Sequence, residues 1–155
     1  MIIKKAAVGN NEEAFVLNSL SSGLNIITSN DNNRGKTIII QSMMYALGNE
    51  PAFPVSFDYK NYYHYIEFEE EGKIYYLCRK NSGFLIKDGE IVQSFSGVSE
   101  LKRYWNKSIK AMPMIYKNQR KIIVDPVLLL HLFFIAQDKK DTSNIYHSGY
   151  YNKGD

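Results

Sequence analysis

The reading of the fold turns on Ser29-Asn30-Asp31-Asn32-Asn33-Arg34-Gly35-Lys36-Thr37, with apolar Leu24-Asn25-Ile26-Ile27 before it and Ile38-Ile39-Ile40-Gln41-Ser42-Met43-Met44-Tyr45-Ala46-Leu47-Gly48 after it. The order is that of a phosphate-binding loop: a buried strand, a tight polar turn, then a helix whose first N–H groups have no intrahelical acceptor and can hold an anion. Gly35 lets backbone and phosphate approach closely, Lys36 reaches the terminal phosphates, and Thr37 supplies a hydroxyl for Mg²⁺. The pattern G-x-x-x-x-G-K-[ST] is broken only at its first position, where Asn30 stands. Asparagine tolerates the left-handed backbone such turns use, and Asn32 and Asn33 have the same latitude. Arg34 either pairs with phosphate oxygens or points into solvent.

The expected helix, from about Thr37 to Leu47, has little polar surface and should lie buried between layers, stopping at Gly48. Upstream, Ile2 to Val8 and Ala14 to Leu20 flank the turn cluster Gly9-Asn10-Asn11-Glu12 and read as a hairpin. Downstream, Pro51 to Tyr62 has no clear period and is expected to be loop. Then Tyr63 to Glu70, Lys73 to Arg79, Phe84 to Lys87 and Glu90 to Phe95 alternate between turns at Glu71-Gly72, Asn81-Ser82-Gly83 and Asp88-Gly89, which predicts an antiparallel meander. Small-molecule kinases and GTPases would follow their loop helix with parallel βαβ crossovers. The fold class expected is therefore α+β / α/β: the N-terminal lobe of a P-loop NTPase, with the meander beside the P-loop strand and helix.

Composition bounds the rest. A chain of 155 residues is the length of one domain, and 45% hydrophobic with 23% charged residues is enough for a core. A net charge of +3 does not by itself argue for nucleic acid. Cys78 is the single cysteine, so no internal disulfide or cysteine-rich zinc site can form. No apolar stretch is long enough for a signal peptide or a bilayer span: Val127 to Ala136 is interrupted by His131 and is about half the necessary ~20 residues. No membrane association and a cytoplasmic location are expected.

Val98 to Ile109 reads as a short helix with Leu101, Tyr104, Trp105 and Ile109 on one face. Lys102, Arg103, Lys107, Lys110, Lys117, Arg120 and Lys121 form a run without an acidic residue. Such a run could contact a nucleic-acid backbone; a solvated helix face followed by a polar loop explains it as well, and the modest total charge favours that. Ile122-Ile123-Val124-Asp125 is not a second Mg²⁺ motif, because Asp125-Pro126 reads better as a helix N-cap. His64, His131 and His147 lack metal-ligand spacing. Glu67, Glu69, Glu70 and Glu71 fall at a hairpin end, as expected of a solvated turn. Arg79 and Lys80, at a strand end, either reach a nucleotide bound at the loop or sit in solvent.

Taken in order, Gly23-Leu24-Asn25-Ile26-Ile27-Thr28 leading into Asn30 to Thr37, the antiparallel meander, and the aromatic run ending in Gln137 resemble the N-terminal half of the ATPase head in the SMC, RecF and RecN superfamily of ABC-type ATPases. The phrase Phe134-Ile135-Ala136-Gln137-Asp138-Lys139 is also similar to that of ATPases in bacterial anti-phage systems. The resemblance implies ATP and Mg²⁺ as ligands. Asn30, Asn32, Asn33, Arg34, Gly35, Lys36 and Thr37 would form the nucleotide site, and Thr37 with Gln137, matching the Q-loop, would contact the metal. It implies one lobe over residues 1–155: hairpin, P-loop and helix to 50, meander over 51–96, and helix, basic segment and Q-loop region over 97–155. A C-terminal lobe with a Ser-Gly-Gly-type signature and an Asp-Glu strand is absent. No catalytic residue is therefore expected within this chain, and hydrolysis would need that lobe in cis or trans, in a head-to-head dimer closed by ATP. The setting implied is DNA repair, chromosome maintenance or phage defence. Two other readings remain: a non-catalytic protein- or nucleic-acid-binding module with a degenerate P-loop, and a small-molecule P-loop kinase.

Overall fold

The computed structural model describes residues 1–28, 35–117 and 119–124. They belong to two compact units, Met1–Ala111 and Met112–Asp155. The first is built on a six-stranded sheet in the order β2-β1-β3-β4-β5-β6, every pairing antiparallel. Its strands are β1 (Ile2–Gly9), β2 (Ala14–Leu17), β3 (Tyr63–Glu70), β4 (Lys73–Lys80), β5 (Gly83–Asp88) and β6 (Ile91–Phe95). The turn chemistry sets this register. Asn10 Oδ1 accepts the N–H groups of Glu12 and Glu13, both at 2.9 Å, closing the first hairpin as an Asx turn. Glu71 and Gly72 both take positive φ, 51° and 79°, as the two-residue turn between β3 and β4 requires.

Alternation along the strands gives the sheet a covered face and an open one. His64, Ile66, Phe68 and Glu70 on β3 lie beside Arg79, Leu77 and Tyr75 on β4, and Phe84 and Ile86 on β5, all buried. The helix α1 (Lys36–Ala46) packs on β1, β3 and β4 and buries Ile39, Met44, Tyr45 and Ala46. Toward the other end, Phe68 stacks on Tyr75 and on Trp105, with centroids 5.2 and 5.1 Å apart and planes inclined at 17°. The helix α2 (Val98–Tyr104) runs into a π-turn at Trp105–Ile109, closed by Lys110 N–H to Trp105 O at 2.9 Å, and Leu101, Trp105 and Ile109 are buried. The helix expected over Val98 to Ile109 is thus interrupted at Trp105. The second unit contains the hairpin β7 (Met114–Lys117) and β8 (Arg120–Ile123), where the sequence suggested a polar loop. Among the described residues no helix is long and apolar enough to cross a membrane.

One expectation fails. Residues 24–28 form no strand, and Leu24 and Ile26 stand 87% and 76% exposed. The cause is local. Asn25 Oδ1 accepts Ser21 N–H at 2.8 Å while its Nδ2 donates to Ser21 O and Gly23 O, so the side chain folds the approach into a turn that competes with extended pairing. No strand among the described residues pairs with this segment. β2 also ends at Leu17 rather than Leu20, although Leu20 N–H still reaches Lys4 O.

Candidate phosphate-binding site

Gly35 precedes α1 in the left-handed region, φ 74° and ψ 12°. The nearest atom to a Cβ placed there would be Ile38 Cδ1 at 3.9 Å, so it is the backbone angle, not crowding, that calls for glycine. No side chain caps the helix from Gly35, and its first turn holds no acidic residue. Most helix starts carry such a cap. A start with Lys36 and Thr37 in the first turn suits an anion, because the helix dipole and the lysine act in the same direction. Asn30, Asn32, Asn33, Arg34 and Gln137 lie outside the described residues. Among the described residues no group of three or more His, Cys, Asp or Glu could hold a metal.

The other end of α1 is held by a residue whose role the sequence left open. Arg79 is 3% exposed, so it does not sit in solvent. Its Nη1 donates to Tyr45 O at 2.9 Å and Asn49 O at 2.8 Å, its Nε donates to Asn81 O at 2.8 Å, and Nη2 pairs with Glu50. The guanidinium also lies over the Tyr45 ring, 3.6 Å from its centroid. α1 has no basic residue in its last turn, and Arg79 supplies that charge from the sheet. Tyr45 hydroxyl donates to Asn81 O and Gln41 Nε2 to Ala52 O, fixing the helix and the chain leaving it. The loop-to-helix start is therefore presented by a helix anchored at its far end.

Beside Arg79, His64 is fully buried among Tyr45, Phe53 and Phe57. Its Nε2 lies 2.9 Å from Tyr59 O, which can only accept, so the proton sits on Nε2. Nδ1 has no partner among the described residues, and neither do Gln41 Oε1 or Ser42 Oγ. Burial pushes the imidazole pKa down; the Tyr59 carbonyl opposes that and nearby Arg79 adds to it. Glu70 corrects another expectation. It is 4% exposed, its carboxylate held by the N-terminal amine at 2.5 Å and by Lys110. Burial works against its charge, yet these two cations hold the carboxyl below its ordinary value. Glu67 and Glu69 pair with Lys5 and Lys4 at 3.6 and 2.9 Å, leaving Glu71 in the turn. The signal for all three buried groups was present: His64, Glu70 and Arg79 share strand parity with Ile66, Phe68 and Leu77.

The basic run is divided. Lys102, Arg103, Lys107 and Lys110 belong to the first unit, Lys117, Arg120 and Lys121 to the second. Lys110 is engaged by Glu70, and Arg103 Nε donates to Ser99 O at 3.3 Å. Lys80, paired with Arg79 in the sequence reading, lies on the open face, 4.2 Å over the Tyr63 ring.

No protein-family profile matches the chain. It is similar to Lamassu protein LmuB of Bacillus cereus (strain VD014), with 30% identity over 124 residues. That match takes in 79% of this chain and 22% of LmuB, so the chain spans less than a quarter of its relative's length.

Proposed function

We propose that this chain is the ATP- and Mg²⁺-binding N-terminal lobe of an SMC-like ATPase acting in a Lamassu-type anti-phage defence assembly. The observation that carries the reading is the start of α1, with Gly35 left-handed and Lys36 and Thr37 in a first turn without an acidic residue, on a helix packed against an antiparallel sheet. The similarity to LmuB supports the biological setting.

Among the described residues, Gly35, Lys36 and Thr37 are of the kind such a ligand needs. Asn33 to Thr37 would hold the phosphates through their backbone N–H groups, Lys36 would balance the phosphate charge, and Thr37 and Gln137 would be the metal ligands. When bound, ATP would supply the free-energy difference between associated and separated heads. Arg79 and Tyr45 keep α1 in place while that difference is expressed. The exposed Leu24 and Ile26 support a completing lobe: apolar side chains next to the loop, with no partner strand among the described residues, suit a strand brought by the C-terminal half in cis or trans. With that lobe the heads would dimerise head to head around ATP, as a switch biased by differential contacts in two states. The wholly antiparallel sheet argues against the small-molecule kinase.

Calorimetric titration with Mg-ATPγS tests the reading. Saturable binding by the wild type, lost in Lys36→Ala with an unchanged circular dichroism spectrum, is expected. Absence of binding both in this chain and in a longer protein carrying the completing lobe would leave the degenerate, non-catalytic module in its place.

A further inference from the structure

Among the described residues, the β6 edge of the sheet pairs with no further strand and lacks the devices by which monomeric proteins protect free edges. Ile91-Val92-Gln93-Ser94-Phe95 carries no charge and no proline, and its pairing with β5 has no bulge. Ile91 and Val92 are 59% and 62% exposed, and Leu85, diagonal to Val92 on the open face, is 51% exposed. The opposite edge, β2, is four residues long and is followed by chain that turns back to bond β1 at Lys4.

Register shows which backbone groups the β6 edge offers. The two-residue turn Gly89-Glu90, with Gly89 at φ 57°, makes Asp88–Ile91 the hydrogen-bonded pair that closes the ladder. Bonded and non-bonded pairs alternate from there, so Ile91, Gln93 and Phe95 bond to β5, whereas the N–H and C=O groups of Val92 and Ser94 point outward.

From this geometry we infer that the β6 edge is a self-association site, on which a second copy of this chain pairs antiparallel about a two-fold axis through Gln93, joining two sheets into one of twelve strands. The sequence is self-complementary in that register. Val92 and Ser94 of one copy exchange hydrogen bonds with Ser94 and Val92 of the other. On the covered face Ile91 lies opposite Phe95, giving two β-branched–aromatic pairs of a kind that stabilises sheets. Charge is complementary too. The strand is preceded by Asp88 and Glu90 and followed by α2 with Lys102 and Arg103, so antiparallel pairing brings an acidic end beside a basic one. Glu100, the acidic residue of α2, is occupied by the Ser96 N–H and hydroxyl at 2.8 and 3.0 Å. This contact needs no nucleotide and is independent of ATP-driven head closure.

Sedimentation of the full 155-residue chain without nucleotide is the test. The expected result is a mass rising with concentration from 17.9 kDa to twice that value, unchanged by Lys36→Ala. Ser94→Pro deletes an outward donor and spares the β5 ladder. By symmetry it removes two hydrogen bonds per dimer and weakens association by about thirtyfold. Gln93→Lys and Gln93→Glu, each facing its own copy across the axis, should each be monomeric, while an equimolar mixture of the two dimerises. Circular dichroism establishes that the variants fold. A wild-type chain still monomeric at about 1 mM, or a dimer indifferent to all these changes, overturns the inference. So does a monomer whose β6 amides gain exchange protection only in the presence of a different protein, which would assign the edge to a foreign strand.

Discussion

Replacing Arg79 with methionine should do more damage than any other single polar substitution in the first unit. The change removes three hydrogen bonds donated to the carbonyls of Tyr45, Asn49 and Asn81, at 2.8–2.9 Å, from a side chain that is 3% exposed. Each charge-assisted bond contributes about 1.5–3 kcal/mol. Some of those carbonyls regain water, and methionine keeps part of the contact over Tyr45, so the net loss is about 3–5 kcal/mol. That is a large share of the roughly 5–15 kcal/mol by which a domain is stable. With a urea m-value of about 1.5 kcal/mol/M, the midpoint followed by circular dichroism falls by about 2–3 M. Native-state hydrogen exchange should show the loss first at Leu47, Gly48 and Asn49, whose amides bond back onto the last turn of α1. Arg79→Lys keeps the charge but not the fork and should cost about half as much. Glu50→Ala should cost under about 1 kcal/mol, because the Glu50 side chain is 61% exposed. An Arg79→Met stability within about 1 kcal/mol of wild type would refute the view that this residue anchors the helix.

His64 is buried neutral, its folded pKa below the ordinary 6.5, so the unfolded chain takes up more protons as pH falls. Its contribution is complete above about pH 6.5 and declines on acidification, and thermal melts of His64→Phe should show a flatter slope just below that value. Glu70 acts in a lower window. Its depressed carboxyl stabilises the fold above about pH 4.5 and loses that effect as the pH falls through its folded value, so Glu70→Gln should cost about 1–3 kcal/mol at neutral pH and flatten the acid limb of the melting curve. Trp105→Ala removes the ring stacked on Phe68 and should destabilise the first unit by about 3–5 kcal/mol in urea titration, with loss of the near-ultraviolet signal.

Where local rules sufficed, the sequence was readable. The four meander strands lie within about a residue of where alternation and turn residues put them, because the turns at Glu71-Gly72 and Asp88-Gly89 fix the register from short-range sterics. α1 begins at Lys36 and Gly48 follows it at φ 97°, as the glycine and the apolar run imply. The approach at Leu24 to Thr28 misled, since an apolar run says that a segment is suited to a strand but not that a partner strand is at hand. Trp105 was placed correctly on a buried face, yet the switch to i→i+5 bonding there follows no residue signal.

What the sequence by itself determined was therefore the meander and the helix that follows Gly35, both consequences of turn sterics and side-chain period. Tertiary structure alone decided that Arg79 anchors α1, that His64 is sealed in neutral, that Glu70 is shared by two cations, and that β6 is, among the described residues, the last strand of the sheet. The physical reason is range. Periodicity reports which way a side chain points, but the worth of a buried charge depends on groups such as Tyr45, Asn49 and the N-terminus, which lie far away in sequence and are brought together only by packing.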